Sequence, residues 1–297
     1  MRTTEEMYSL IMQYAMQDER VRVVTLEGSR TNEKVPTDMF QDFDISFFVT
    51  DMASYLLDHR WVDQFGSRIM MQMPDAGTWI DAGDVECFSY LMLYTDGNRI
   101  DLSLYPLTVM PQYCQSDKLI RTLLDKDHIM PKLPPASDED YWVKKPSANE
   151  YAACCNEFWW IATNVAKGLW RRETLYAMDH LQLYMRPMIM HMLSWKVGME
   201  TDFSLSVGKN YKYLQSYIEE EQWQALMRTF PSGNNEAIWQ SLMEMTDLFR
   251  HNAKEVGERL GYCYEEEDDS NVTAYLHHVR YLPQIATAIY TGKVSYY

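Results

Sequence analysis

Phe40-Gln41-Asp42-Phe43-Asp44-Ile45-Ser46-Phe47-Phe48-Val49 is the stretch whose reading decides the fold. A strand places alternate side chains on opposite faces, so Asp42, Asp44 and Ser46 share one face and Phe43, Ile45 and Phe47 the other. Two carboxylates spaced about 6–7 Å along a strand form half of an oxygen cage for a hard cation. That donor set suits Mg²⁺, with phosphate oxygens completing its shell. Asp-x-Asp is a common pair and is no site by itself. On so apolar a strand, however, unpaired charge is costly unless a cation or partner compensates it. Upstream lies Leu26-Glu27-Gly28-Ser29-Arg30. A Gly-Ser turn after a strand leaves backbone N–H groups open to a phosphate, with no Cβ in the way.

A third carboxylate extends the pattern. Arg99-Ile100-Asp101-Leu102-Ser103-Leu104 alternates, with Asp101 and Ser103 on one face and Ile100, Leu102 and Leu104 on the other. Placed beside the Asp42 strand in one sheet, it brings Asp42, Asp44 and Asp101 together around one or two metal ions.

Composition describes a soluble, reduced, acidic protein. The chain has 297 residues, 46% of them hydrophobic, enough for two domains with separate cores. No 18-residue apolar run occurs, and Met1-Arg2-Thr3-Thr4-Glu5-Glu6 carries no apolar signal region. Neither a membrane nor a secretory route is expected. The five cysteines are odd in number and lack zinc spacing, so they read as free cytoplasmic thiols. The net charge of −16 argues against nucleic acid, which wants a basic face, and favours a cationic small molecule. An anionic nucleotide then needs Mg²⁺ and a few local cations to enter the same protein.

Proline punctuation at Pro131, Pro134, Pro135 and Pro146 divides the chain into residues 1–135 and 136–297. In the first part, a capping box at Thr3 and Glu6 opens a helix. Strands are expected at Val21–Leu26, at the acidic segment (where Asp42 and Asp44 are assigned to a second and a third strand), and at Ile69–Met73, Phe88–Tyr94 and Arg99–Leu104. A helix is expected over 54–65, ending at Gly66, and Asp96-Gly97-Asn98 marks a hairpin. In the second part, Ser147 and Glu150 cap a long helix through Trp170. Helical patterns then cover 174–197 (kinked at Pro187), 210–229, 234–260 and 271–290. The fold class is α+β: a mixed sheet with helices, followed by an α-helical bundle.

The remaining motifs are weaker. Ser206-Val207-Gly208-Lys209-Asn210-Tyr211-Lys212 lacks the P-loop frame, but two lysines at a helix start oppose its dipole and would be relieved by an anion. Glu157 sits among aromatics, and Asp179 precedes His180 in a Met-rich helix. His180 and His191 read as core residues, and His277-His278 has no metal partners at standard spacing. No Gly-x-Ser-x-Gly elbow is present.

Gly-Ser, a spacer, Asp-x-Asp and a later strand aspartate resemble the nucleotidyltransferase superfamily, the polymerase-β-like fold. The longer strings Gly28–Asn32, Phe40–Asp51, Phe65–Pro74, Phe88–Leu104 and Ser194–Leu214 resemble the bacterial aminoglycoside 6-adenylyltransferases, which modify streptomycin. The likeness runs from about residue 1 to about residue 285. One departure from the superfamily pattern is Glu27, where an apolar residue usually precedes the glycine.

The resemblance implies an ATP-dependent enzyme that adenylylates an aminoglycoside hydroxyl and releases pyrophosphate. Mg²⁺ would sit on Asp42 and Asp44, with Asp101 as base, metal ligand or both. Gly28, Ser29 and Arg30 would meet the triphosphate, with Lys209 and Lys212 on its β- and γ-phosphates. Glu86, in a polar loop with Trp79, Asp81 and Asp84, would line the antibiotic side, and Glu157 or Asp179 would hold a streptomycin guanidinium across a cleft between the domains. Either of the latter two reads equally as a paired structural acid. The protein would act as a monomer or homodimer. Two other readings remain open at this point: a nucleotidyltransferase acting on a protein such as a toxin, and a non-catalytic nucleotide-binding module.

Overall fold

The structure is a computed structural model and describes residues 1–76 and 87–290. The chain divides into two compact units, residues 1–140 and 141–297.

In the first unit, α1 (Thr4–Gln17) starts with the reciprocal Thr3–Glu6 capping box and leads to β1 (Val21–Glu27). The turn Gly28–Thr31 follows, then β2 (Phe43–Val49), α2 (Met52–Leu56), β3 (Arg68–Gln72), β4 (Phe88–Tyr94), β5 (Arg99–Pro106), α3 (Met110–Tyr113) and β6 (Ile120–Asp125). The strands form one mixed sheet in the order β3-β4-β5-β2-β1-β6. The β2–β5 pair is parallel, and the other pairs are antiparallel.

Alternation sorts the two faces. Phe43, Ile45 and Phe47 of β2 pack with Ile100, Leu102 and Leu104 of β5 against Met7, Ile11 and Tyr14 of α1 in one core. On the opposite face, Val23 and Phe48 are covered by Met110 and Tyr113 of α3. The covered end of that face is apolar, and the acids lie at its other end.

Several expected boundaries move. Asp42 and Asp44 do not occupy two strands: Asp44 lies in β2 and Asp42 immediately precedes it. The expected helix over 54–65 splits, because the Asp58 carboxylate accepts the Arg60 N–H and starts a tighter 3₁₀ turn over His59–Phe65. Gly66, at φ 121°, ends it. The strand β6 was not expected. Ile120-Arg121-Thr122-Leu123-Leu124 does not alternate cleanly, because its register against β1 shifts between Val24 and Thr25.

In the second unit, α4 (Ala148–Trp170) carries the expected Ser147–Glu150 capping box. It is followed by α5 (Thr174–Asp179), a π-helical turn over His180–Met185, and α6 (Arg186–Glu200). Pro187 in the first turn of α6 lacks an N–H to donate, and the wide turn before it absorbs the mismatch. The expected helix over 210–229 shortens to α7 (Glu220–Arg228). Gly208, Asn210 and Tyr211 all have positive φ, which breaks helical propagation there. The unit ends with α8 (Asn235–Leu260) and α9 (Glu266–Tyr281), the latter stopping before Pro283. No helix among the described residues is long and apolar enough to cross a membrane.

Phe158 of α4 stacks on Phe249 of α8 at 3.6 Å between ring centres. The Tyr151 hydroxyl donates to the Ala253 carbonyl at 2.8 Å. Arg186 ties the turn after α7 to α6. Its Nη1 and Nη2 donate to the Thr229 hydroxyl and carbonyl at 2.9 and 2.7 Å, Nε donates to Gln182, and Phe230 covers its guanidinium. His180 is satisfied by the Tyr176 carbonyl, whereas His191 lies at the surface against Trp195 and is not a core residue.

Removing the Arg186 guanidinium leaves the buried Thr229 acceptors unmatched. Arg186→Met should therefore cost about 2–4 kcal/mol in the urea transition of the helical unit. A loss under about 1 kcal/mol contradicts this role.

Candidate active site

The acids meet because β2 and β5 run parallel and in register. Asp44 pairs with Asp101 and Ser46 with Ser103, so like residues stand side by side on one face. Asp42, one residue outside the strand, completes a group in which one oxygen from each of the three carboxylates lies within 4.8 Å of the others. The strip continues on β4 through Ser89, whose hydroxyl lies 3.2 Å from that of Ser103.

The turn that ends β1 closes over this group. Gly28 has φ 66°, a conformation that favours glycine. A Cβ at Gly28 would overlap Asp44 Oδ2 and lie 3.2 Å from its Cγ. The glycine thus serves two ends, the left-handed turn and the close approach of the acid. Thr31 Oγ1 donates to the Gly28 carbonyl at 2.8 Å and holds the turn shut. Ser29 is half-buried in the same turn.

Arg30 takes a place the sequence did not indicate. Its Nε and Nη2 donate to the carbonyls of Asp42 and Gln41 at 2.7 and 2.8 Å, and its guanidinium lies 3.7 Å from the Phe43 ring centre. These contacts tie the Gly-Ser turn to the backbone that presents Asp42.

Burial, with crowding of negative charge, sets the electrostatics. Burial, then the neighbouring Asp42, Asp101 and Glu27, push the Asp44 carboxyl up from its ordinary 3.8 to about 7. Glu27 is raised chiefly by burial. One of its oxygens accepts hydrogen bonds from the hydroxyls of Ser46 and Tyr113, and from Thr25 at 3.2 Å. Arg99 meets Asp101 in a bidentate pair, Nε to Oδ1 at 2.7 Å and Nη2 to Oδ2 at 2.6 Å, and its Nε lies 3.9 Å from Asp42 Oδ2. Those contacts raise the Arg99 pKa.

The other expected site residues lie in the second unit or outside the described residues. Lys209 opens and Lys212 follows a 3₁₀ turn with a left-handed Asn210, so they do not stand at the start of a regular helix. Lys212 Nζ lies 5.0 Å from the Tyr213 ring centre. Glu157 on α4 and Asp179 at the end of α5 are exposed. Glu86, with Trp79, Asp81 and Asp84, lies outside the described residues.

The sequence reading missed the part played by Arg99 and by the hydroxyls around Glu27. The signal for Arg99 was available, since alternation places residues 99 and 101 on one face. Tyr113 comes from a separate helix and had none.

A Gly-Ser turn closed over carboxylates from two parallel strands is the arrangement expected of a nucleotidyl-transferring site. A family model described as streptomycin adenylyltransferase matches residues 1–279. The chain belongs to the streptomycin adenylyltransferase family. An aminoglycoside 6-adenylyltransferase of Bacillus subtilis (strain 168) is 42% identical over 276 residues, covering 93% of this chain and 97% of its own. One from Campylobacter jejuni is 44% identical over 269 residues, covering 91% and 93%. A crystal structure of an aminoglycoside 6-adenyltransferase from Bacillus subtilis is 37% identical, with a TM-score of 0.48 over 95% of this chain and 100% of its own. Sequence identity over nearly the full length, rather than superposition, places this chain in the streptomycin adenylyltransferases.

The raised Asp44 carboxyl makes stability depend on pH. Between about pH 4 and 7 the folded state holds a proton there that the unfolded chain has released. That contribution to stability therefore falls as pH rises through this window. In metal-free protein, the melting temperature of wild type should fall relative to that of Asp44→Asn as pH rises from about 5 to about 8. Parallel melting curves for the two proteins across that range would contradict the crowded-acid picture.

Proposed function

We propose that this protein transfers AMP from ATP to a hydroxyl of streptomycin, at the 6-position, with release of pyrophosphate, and thereby gives resistance to the antibiotic. The observation that supports it most directly is the in-register pairing of Asp44 with Asp101 beside Asp42, under the Gly28 turn, in a chain of this family.

The three carboxylates fit a divalent cation. They offer only oxygen donors, and burial together with the neighbouring Asp42 and Asp101 raises the Asp44 carboxyl, a charge that a cation would relieve. Asp42, Asp44 and Asp101 would hold Mg²⁺, which when bound offsets the negative charge of the triphosphate and of the reacting phosphate.

The reaction forms a bond between the acceptor oxygen and the α-phosphorus and breaks the bond from that phosphorus to the bridging oxygen, which leaves with pyrophosphate. The hydroxyl proton must be removed, since its own pKa is far too high for neutral pH. Asp101 would take that proton as base, or would be one of the residues that hold the cation. The backbone of Gly28 and Ser29 receives the triphosphate, and Arg30 fixes the approach of Asp42. Arg30 also remains our candidate for a phosphate contact, with Lys209 and Lys212 for the β- and γ-phosphates. On the acceptor side, Glu86 and the exposed Glu157 and Asp179 are the candidates to bind streptomycin guanidinium groups in bidentate fashion. The cytoplasm is the compartment in which ATP and Mg²⁺ are available to such an enzyme.

Incubation with ATP, Mg²⁺ and streptomycin should add the mass of one AMP to the antibiotic. Asp42→Asn and Asp44→Asn should each reduce the rate by far more than tenfold while leaving the fold intact. Either variant retaining over about a tenth of the wild-type rate, a loss under about 1.4 kcal/mol, would overturn the assignment.

A further inference from the structure

Arg99 is the residue of this site whose position the proposed chemistry leaves unexplained. It stands two residues before Asp101 on β5, on the same face. Two of its nitrogens are committed to the two oxygens of Asp101, at 2.7 and 2.6 Å. The third contact, 3.9 Å from Nε to Asp42 Oδ2, spans the gap between the two acids. Among the described residues, the ion pairs to this cluster come from Arg99 alone and reach Asp42 and Asp101. Arg30, the other nearby arginine, spends two nitrogens on the carbonyls of Gln41 and Asp42.

A guanidinium and a divalent cation cannot use Asp101 and Asp42 in the same way at once. Both want the same carboxylate lone pairs, and their own charges repel at such short range. The Arg99 side chain is 47% exposed, against 19% for Asp101. The arginine therefore has an open path away from the cluster, whereas the aspartate is fixed in the sheet.

We propose that Arg99 is the resident counter-ion of the acid cluster, holding Asp101 and Asp42 together in the ligand-free protein, and that it is given up when a divalent cation enters. This inference rests on the cluster being a metal site, the reading made above. Arg99 is thus a positioning residue. It keeps the crowded acids tolerable without metal, and its departure gives up the two Asp101 oxygens that it engages.

The exchange has a signature that needs no turnover. Titration of nucleotide-free protein with Mn²⁺, followed by electron paramagnetic resonance, should show tighter binding in Arg99→Gln than in wild type, by about threefold to tenfold. Arg99→Lys, which keeps the charge but loses the bidentate fork, should fall between them. Nitrogen-detected spectra should show the Arg99 Nε–H signal, identified by its absence in Arg99→Gln, moving to the position of a solvent-exposed arginine when Mg²⁺ is added. Mn²⁺ affinity that is equal or weaker in Arg99→Gln would overturn the proposal, and so would an Arg99 signal unmoved at saturating Mg²⁺. If neither wild type nor variant binds Mn²⁺, the metal reading itself fails and the exchange fails with it. Circular dichroism of both variants establishes that each is folded before titration.

Discussion

Three carboxylates held within 4.8 Å of one another are the constraint on which the rest of the site depends. Like charges so close, on a face from which water is partly excluded, repel strongly. The fold tolerates them because each is anchored by something other than the charge itself. Asp44 and Asp101 are anchored by the parallel β2–β5 register, whose opposite face is packed with Phe43, Ile45, Leu102 and Leu104. Asp42 is anchored by Arg30, which grips its carbonyl. Hydrophobic burial on one side of the sheet thus supports an arrangement on the other side that would not assemble unaided.

The same constraint explains the glycine. Among the positions near the acids, Gly28 is where a side chain would strike Asp44, and it is also where the chain must turn with positive φ. Sequence, turn and charge agree there. Glu27 adds a fourth acid, but the hydroxyls of Thr25, Ser46 and Tyr113 engage it and link the acidic end of the face to the apolar patch around Val23 and Phe48.

Much of this was legible in the sequence because β-alternation is a strong code. It put Asp42, Asp44 and Asp101 on like faces, and the capping boxes at Thr3 and Ser147 marked two helix starts that the structure bears out. What was hidden depends on contacts between distant segments. Tyr113 reaches Glu27 from a helix 86 residues away. The strand β6 is disguised by a register shift, and the segment from Gly208 to Tyr211 turns through left-handed residues where a lysine-led helix was expected. The grip of Arg30 on backbone carbonyls was likewise invisible, because an arginine beside a Gly-Ser turn reads first as a phosphate ligand.

The central claim is that Asp42, Asp44 and Asp101 together form the cation site of this streptomycin adenylyltransferase family member. Anomalous diffraction from crystals grown with Mn²⁺ and a non-hydrolysable ATP analogue tests it most directly. The account predicts a manganese peak among the three carboxylates, about 2.0–2.3 Å from oxygens of Asp42 and Asp44, with the nucleotide phosphates at the Gly28 turn. A manganese peak bound elsewhere, or bound nucleotide with no metal between it and these acids, would contradict it.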